Sequence, residues 1–110
     1  MTGSEDLLKG TLDMLVLKAI EREPMHGWGI GQRIEALAGG VFRVQTGTLY
    51  PALHRLQREG AIGAEWRTTE HKRRARYYRL TASGKKRRAA DVSSWVRSSV
   101  AVNRILEGLS

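Results

Sequence analysis

Residues 46–60 read Thr46-Gly47-Thr48-Leu49-Tyr50-Pro51-Ala52-Leu53-His54-Arg55-Leu56-Gln57-Arg58-Glu59-Gly60. Helix punctuation stands at both ends. Thr46 or Thr48 offers a hydroxyl N-cap, Pro51 is tolerated near the first turn, and Gly60 suits the left-handed stop after Glu59. Leu49, Ala52, Leu53 and Leu56 recur at helical spacing and form an inward face, which leaves Thr48, Tyr50, Pro51, His54, Arg55 and Arg58 outside. Directly downstream, residues 61–69 alternate, with Ile62, Ala64 and Trp66 on one face, and residues 75–80 have strand character around Tyr77 and Tyr78. Between the two runs lies Glu70-His71-Lys72-Arg73-Arg74, so the spacing predicts a hairpin with a strongly basic tip and return strand.

Upstream, the apolar residues of a first helix, over about residues 6–22, fall into two arcs. Leu8, Leu12, Leu15, Val16, Ala19 and Ile20 form one, and Leu7, Met14 and Leu17 form another beyond Asp13. A monomer needs only the first; the second is either extra core or the seat of a partner helix. A second helix fits residues 27–38, ended by Gly39-Gly40. Its Gly27, Gly29 and Gly31 follow no strand and have the wrong spacing for a dinucleotide loop, so close helix packing explains them better. A short strand is expected at residues 41–44. After the hairpin, Thr81 or Ser83 caps a last helix running to about residue 109, with Ala89, Val92, Trp95, Val96, Val100, Val102 and Leu106 on one broad side and Arg97 and Arg104 on the other.

The expected architecture is therefore mainly α with a small β-hairpin: a winged helix-turn-helix over residues 1–80, then a C-terminal helix over residues 81–110. In that arrangement the third helix enters the DNA major groove and the wing follows the backbone or minor groove.

Charge supports the same partner. The 110 residues carry 19 Lys and Arg against 11 Asp and Glu, a net charge of +8, and the whole excess lies in residues 56–110. Ten cations against the single acid Glu70 fall between Arg67 and Arg88. Such a density favours phosphate polyanions, because binding releases their condensed counterions; the plainer reading is a solvated surface. With no cysteine, disulfide scaffolds, thiol catalysis and thiolate zinc sites are excluded. His26, His54 and His71 are too scattered to suggest a metal, no cofactor is indicated, and no catalytic constellation stands out, so an enzyme is not expected. No apolar run approaches the roughly 20 residues of a membrane span, which together with the polar, acidic start predicts a cytoplasmic protein.

The DNA-contacting candidates on the third helix are Thr46, Thr48, Tyr50, Pro51, His54, Arg55 and Arg58, and on the wing Lys72, Arg73, Arg74 and Arg76. Hydroxyls and free N–H groups at a helix start can hold phosphate, and the longer side chains can reach base edges or phosphates. Two other readings of the same features are a basic module that binds nucleic acid without sequence choice and a protein-interaction adaptor built on a winged helix.

Leu12 to Ala19, His26-Gly27-Trp28-Gly29-Ile30, Gly47-Thr48-Leu49-Tyr50-Pro51-Ala52-Leu53 with Leu56 and Glu59-Gly60, and Arg76-Tyr77-Tyr78-Arg79-Leu80-Thr81 with Gly84 together resemble the PadR family of bacterial transcriptional regulators. The resemblance spans roughly residues 7–106 and departs at Trp28, where the family usually has Tyr. It implies a homodimeric winged-helix repressor that binds inverted repeats of double-stranded DNA, with residues 81–110 as a C-terminal dimerisation helix and the first helix shared with the dimer interface. It further implies that Leu7, Met14 and Leu17 meet Val92, Trp95, Val96, Val102 and Leu106 of a second copy across a two-fold axis. Trp95 is then an interface anchor, and also the residue at which a small aromatic effector would be contacted. Trp66 is expected in the core at the wing base, Trp28 in helix packing, His26 capping or packing the second helix, and His71 at the hairpin tip. Lys85-Lys86-Arg87-Arg88 oppose the positive end of the last helix, a cost that a nearby phosphate would offset.

Overall fold

The computed structural model describes the backbone of residues 3–108 and the side chains of residues 11–108. In chain order the elements are α1 (Gly3–Ala19), β1 (Met25–His26), α2 (Gly27–Leu37), α3 (Thr46–Arg58), β2 (Ile62–Thr68), β3 (Arg74–Leu80) and α4 (Ala82–Gly108). The winged helix-turn-helix with a long final helix is thus the fold the chain adopts.

Apolar faces of the first three helices close on the base of the wing. Leu12, Val16, Leu17 and Ile20 of α1 and the following turn, Ile30 and Ile34 of α2, and Leu49, Ala52, Leu53 and Leu56 of α3 are buried together with Ala61, Ile62 and Tyr78. At about 25 cal/mol per Å² of apolar surface removed from water, this cluster is the main stabilising term for the fold. Leu17 was expected to face a second copy, but it is fully covered by its own protomer. α1 packs against α2, α3 and α4, which leaves no open side for it. Met14 is half-buried, and the Leu7 side chain lies outside the described residues.

The sheet is antiparallel with the order β1-β3-β2. β3 pairs on one edge with β2, from Ile62↔Leu80 to Thr68↔Arg74, and on the other with β1 through Met25↔Tyr78 and His26↔Tyr77. The strand expected at residues 41–44 does not form. Both edges of β3 are already occupied, and the Val44 amide instead donates to the Glu35 carboxylate at 2.7 Å. The wing turns tightly: the Lys72 amide donates to the Thr69 carbonyl at 3.0 Å, and Lys72 takes φ 59°. This left-handed residue after a turn is what lets a short loop match the strand twist.

Helix ends follow local chemistry, with shifts from expectation. His26 Nδ1 accepts the Gly29 amide at 3.0 Å and caps α2. The N-cap of α3 is Gln45, one residue before Thr46 and three before Thr48, and its side chain makes no capping bond. Pro51 consequently sits in the second turn, where it removes a donor from the Gly47 carbonyl. Gly60 takes φ 77° and closes α3. Thr81 Oγ1 accepts the Gly84 amide at 3.0 Å and starts α4. The 27 residues of α4 run for about 40 Å at 1.5 Å per residue, which gives the molecule its long axis of 55 Å.

Candidate nucleic-acid interface

The outward side of α3, the start of α2 and the inner face of the wing enclose an open cleft of about 930 Å³. Tyr50 and His54 enter it from α3, His26, Gly27 and Trp28 from the start of α2, and Trp66, Arg73, Arg74, Arg76 and His71 from the wing. Helical spacing explains the first group: Leu49, Ala52, Leu53 and Leu56 are held in the core, so Tyr50, Pro51, His54 and Arg58 must emerge on the opposite side, and all four are exposed. His54 and Arg58, with Gln57, also line a shallower depression along α3. Thr46 is exposed at the helix start and Thr48 is half-buried.

Strand alternation explains the wing. Ile62 and Ala64 point into the body, and two residues further on the same face carries Trp66 out into the cleft, opposite Arg76, with Arg74 opposite Thr68. Trp66 is not the wing-base core residue expected from the sequence; it is 56% exposed, because the hairpin outruns the helices that cover its base. Its indole lies under two cations, the Arg74 and Arg76 guanidinium carbons standing 5.5 and 5.7 Å from the ring centroid. Arg76 also donates to Gln57 Oε1 at 3.4 Å, which ties the wing to α3. Lys72 and Arg73 are exposed at the tip. Trp28, expected in helix packing, is 64% exposed at the mouth of the cleft, since α2 buries Gly27, Ile30, Gly31 and Ile34 and leaves position 28 outside.

Not every candidate cation is available. Arg55 belongs to α3 but turns towards α1 and pairs with Asp13. Asp13 also accepts from Arg87 of α4 at 3.1 Å, and Arg87 reaches Glu59 at 2.5 Å and Asp91 at 3.7 Å. The bond to Glu59, with Asp13 and Asp91 nearby, holds the Arg87 guanidinium pKa above its already high ordinary value. Arg88 stands 3.7 Å from Glu21. Two of the four cations at the start of α4 are therefore matched by acids of the same chain, so no phosphate is needed to explain them. Lys85 and Lys86 are exposed.

Outside the cleft, α4 carries a second unusual surface. Val92, Trp95, Val96, Val100, Val102, Ile105 and Leu106 are all exposed large apolar residues, with Trp95 at 40% and Leu106 at 64%. The expected interface residues Val92, Trp95, Val96, Val102 and Leu106 are thus brought onto one uncovered stripe, which Ile105 borders.

The cleft residues missed in the sequence were Trp66, Trp28, His26 and Tyr77, and so was Gln57 of the depression along α3. A hairpin turn centred on His71 already places Trp66 across from Arg76, so that pairing was open to simple counting. Nothing local marks Gln57 or Asp13, whose partners come from distant parts of the chain.

Comparison with known proteins agrees with this geometry. Residues 16–90 match the pattern of the transcriptional regulator PadR-like family. A solved transcriptional regulator from Clostridium thermocellum is similar with a TM-score of 0.81 and 26% identity, over 90% of this chain and 96% of that one. The PadR-like transcriptional regulator of Bacillus cereus gives a TM-score of 0.79 and 27% identity, over 92% and 96%. An uncharacterized protein of Lysinibacillus sphaericus is 28% identical over 104 residues, 94% of this chain and 95% of its own length.

Proposed function

Because the chain belongs to the PadR-like family of transcriptional regulators, we propose that this DNA-binding regulator acts as a homodimeric repressor reading an inverted-repeat operator in the cytoplasm. The observation that carries the reading is the cleft, in which an exposed helix face and a basic wing flank one groove. Tyr50, Pro51, His54 and Arg58 face the major groove, with Thr46 and Thr48 at the start of the helix beside the DNA backbone. Lys72, Arg73, Arg74 and Arg76 carry the electrostatic contact with the backbone or minor groove. Arg55 is left out of this set, since Asp13 holds it.

Residues 81–110 serve as the dimerisation arm. The exposed stripe on α4 is too apolar and too continuous for a solvated helix, and it meets its counterpart and the Met14 side of α1 in a second copy. Trp95, near the two-fold axis of such a dimer, is where a flat aromatic effector would bind and alter the spacing of the two α3 helices.

The test is selection of bound fragments from genomic DNA, followed by footprinting and sedimentation. The expected result is a palindromic site whose half-sites lie about one helical turn apart, bound by a dimer. Protection of one asymmetric site by a monomeric chain would refute it.

A further inference from the structure

We propose that Trp66 is a positioning residue of the wing, holding the Arg74 and Arg76 guanidinium groups on its indole so that they meet the DNA phosphates as a fixed pair. The inference rests on the DNA-binding reading above and goes beyond it in assigning how the wing grips the backbone.

Three observations carry it. First, Trp66 is 56% exposed on the hairpin face that points into the cleft, where it covers no part of the core. The partners it has are the two guanidinium groups, at 5.5 and 5.7 Å from its ring centroid. Second, among the described residues neither Arg74 nor Arg76 forms an ion pair. Glu65, the acid nearest in sequence to Trp66, lies on the other face of the strand and binds Arg67 at 2.6 Å. Third, the donors are largely uncommitted: among the described residues the Arg74 guanidinium makes no side-chain hydrogen bond, and the one made by Arg76 is the long contact to Gln57.

A guanidinium held over a ring spends no N–H donor on it and keeps its donors free for a phosphate oxygen, which an ion pair with a carboxylate would not. Two cations beside one ring, neither of them ion-paired among the described residues, arrange the free wing for phosphate. Holding both side chains in place beforehand also removes part of the ordering cost of binding.

The experiment measures binding of the full-length protein to a random-sequence 30-base-pair duplex across a salt series. The variants are Trp66→Leu and Trp66→Phe, each made in the native chain and in a chain carrying Arg74→Gln and Arg76→Gln. Trp66→Leu is expected to weaken binding about tenfold in the native background, the ordering cost of two long side chains no longer held in place beforehand. Trp66→Phe should recover most of that loss, and Trp66→Leu should have no further effect once both arginines are gone. An equal loss in both backgrounds, or none in either, overturns the inference while leaving DNA binding intact. A native protein that binds no duplex at all overturns both readings. If Trp66→Leu does not fold, the emission of Trp66 in a Trp28→Phe, Trp95→Phe chain decides: it should change when duplex is added, and an unchanged spectrum under saturating duplex overturns the proposal.

Discussion

The ring of Tyr50 lies directly against the backbone of Gly27, with its Cε1 and its hydroxyl oxygen each 2.7 Å from where a β-carbon at that position would stand. Gly27 opens α2 and Tyr50 is exposed on α3, so the contact sets the seat of a cleft residue without filling the core. Gly27→Ala is expected to push the ring into the cleft and lower operator affinity roughly tenfold, equivalent to about 1.4 kcal/mol. Stability should change little, because alanine is favoured over glycine in a helix by up to about 1 kcal/mol. Gel-shift titration beside a thermal melt checks both; an unchanged affinity would mean that the Tyr50 position is not read by DNA.

Asp13 joins three helices by accepting from Arg55 of α3 and Arg87 of α4. Asp13→Asn should cost about 1–2 kcal/mol, less than a fully buried pair because all three side chains keep some solvent contact. It should also release Arg55 towards the DNA. Binding to random duplex is then expected to become more salt-dependent, by about one unit of slope for one added phosphate contact. Chemical denaturation and a salt titration test the two halves separately.

Lys72 holds a left-handed conformation that glycine adopts without strain. Lys72→Gly should stabilise the hairpin by roughly 0.5–1 kcal/mol while reducing the salt slope by about one. Stability and affinity moving in opposite directions would separate the turn geometry from the charge. A slope that stays the same would show that Lys72 touches no phosphate.

Gly84 approaches the wing base so closely that a β-carbon there would stand 2.0 Å from the Ala61 carbonyl oxygen. That oxygen accepts from the Thr81 amide and lies 2.9 Å from the Thr81 hydroxyl, so the backbone cannot yield cheaply. Gly84→Ala is expected to destabilise by more than about 2 kcal/mol, the range of overpacked sites, and to shift how α4 leaves the body. A melting temperature close to that of the native chain would contradict the contact.

Val96 and Val100 are exposed at 52% and 50% on the apolar stripe of α4. Replacing both with Glu should leave the protomer fold intact and convert the proposed dimer to a monomer, with affinity for the proposed two-half-site operator falling by about tenfold or more. Sedimentation and gel shift measure these; a dimer that survives both charges would place the interface elsewhere.

The apolar face of α3, the basic hairpin and the apolar side of α4 could be read from the chain alone, because helical and strand periodicities put Leu49, Ala52, Leu53 and Leu56 on one side and Val92, Trp95, Val96 and Leu106 on one stripe. These are local patterns, decided by backbone geometry within a few residues. Which cations remain free was decided elsewhere. Arg55 finds its acid 42 residues away and Arg87 reaches the same acid across 74, and nothing near either arginine announces the partner. The burial of Leu17, the pairing of β1 with β3, and the emergence of Trp66 beyond the core likewise depend on where separate elements meet in space. Periodicity says which side of an element is apolar. Only packing decides whether that side is covered, and by what.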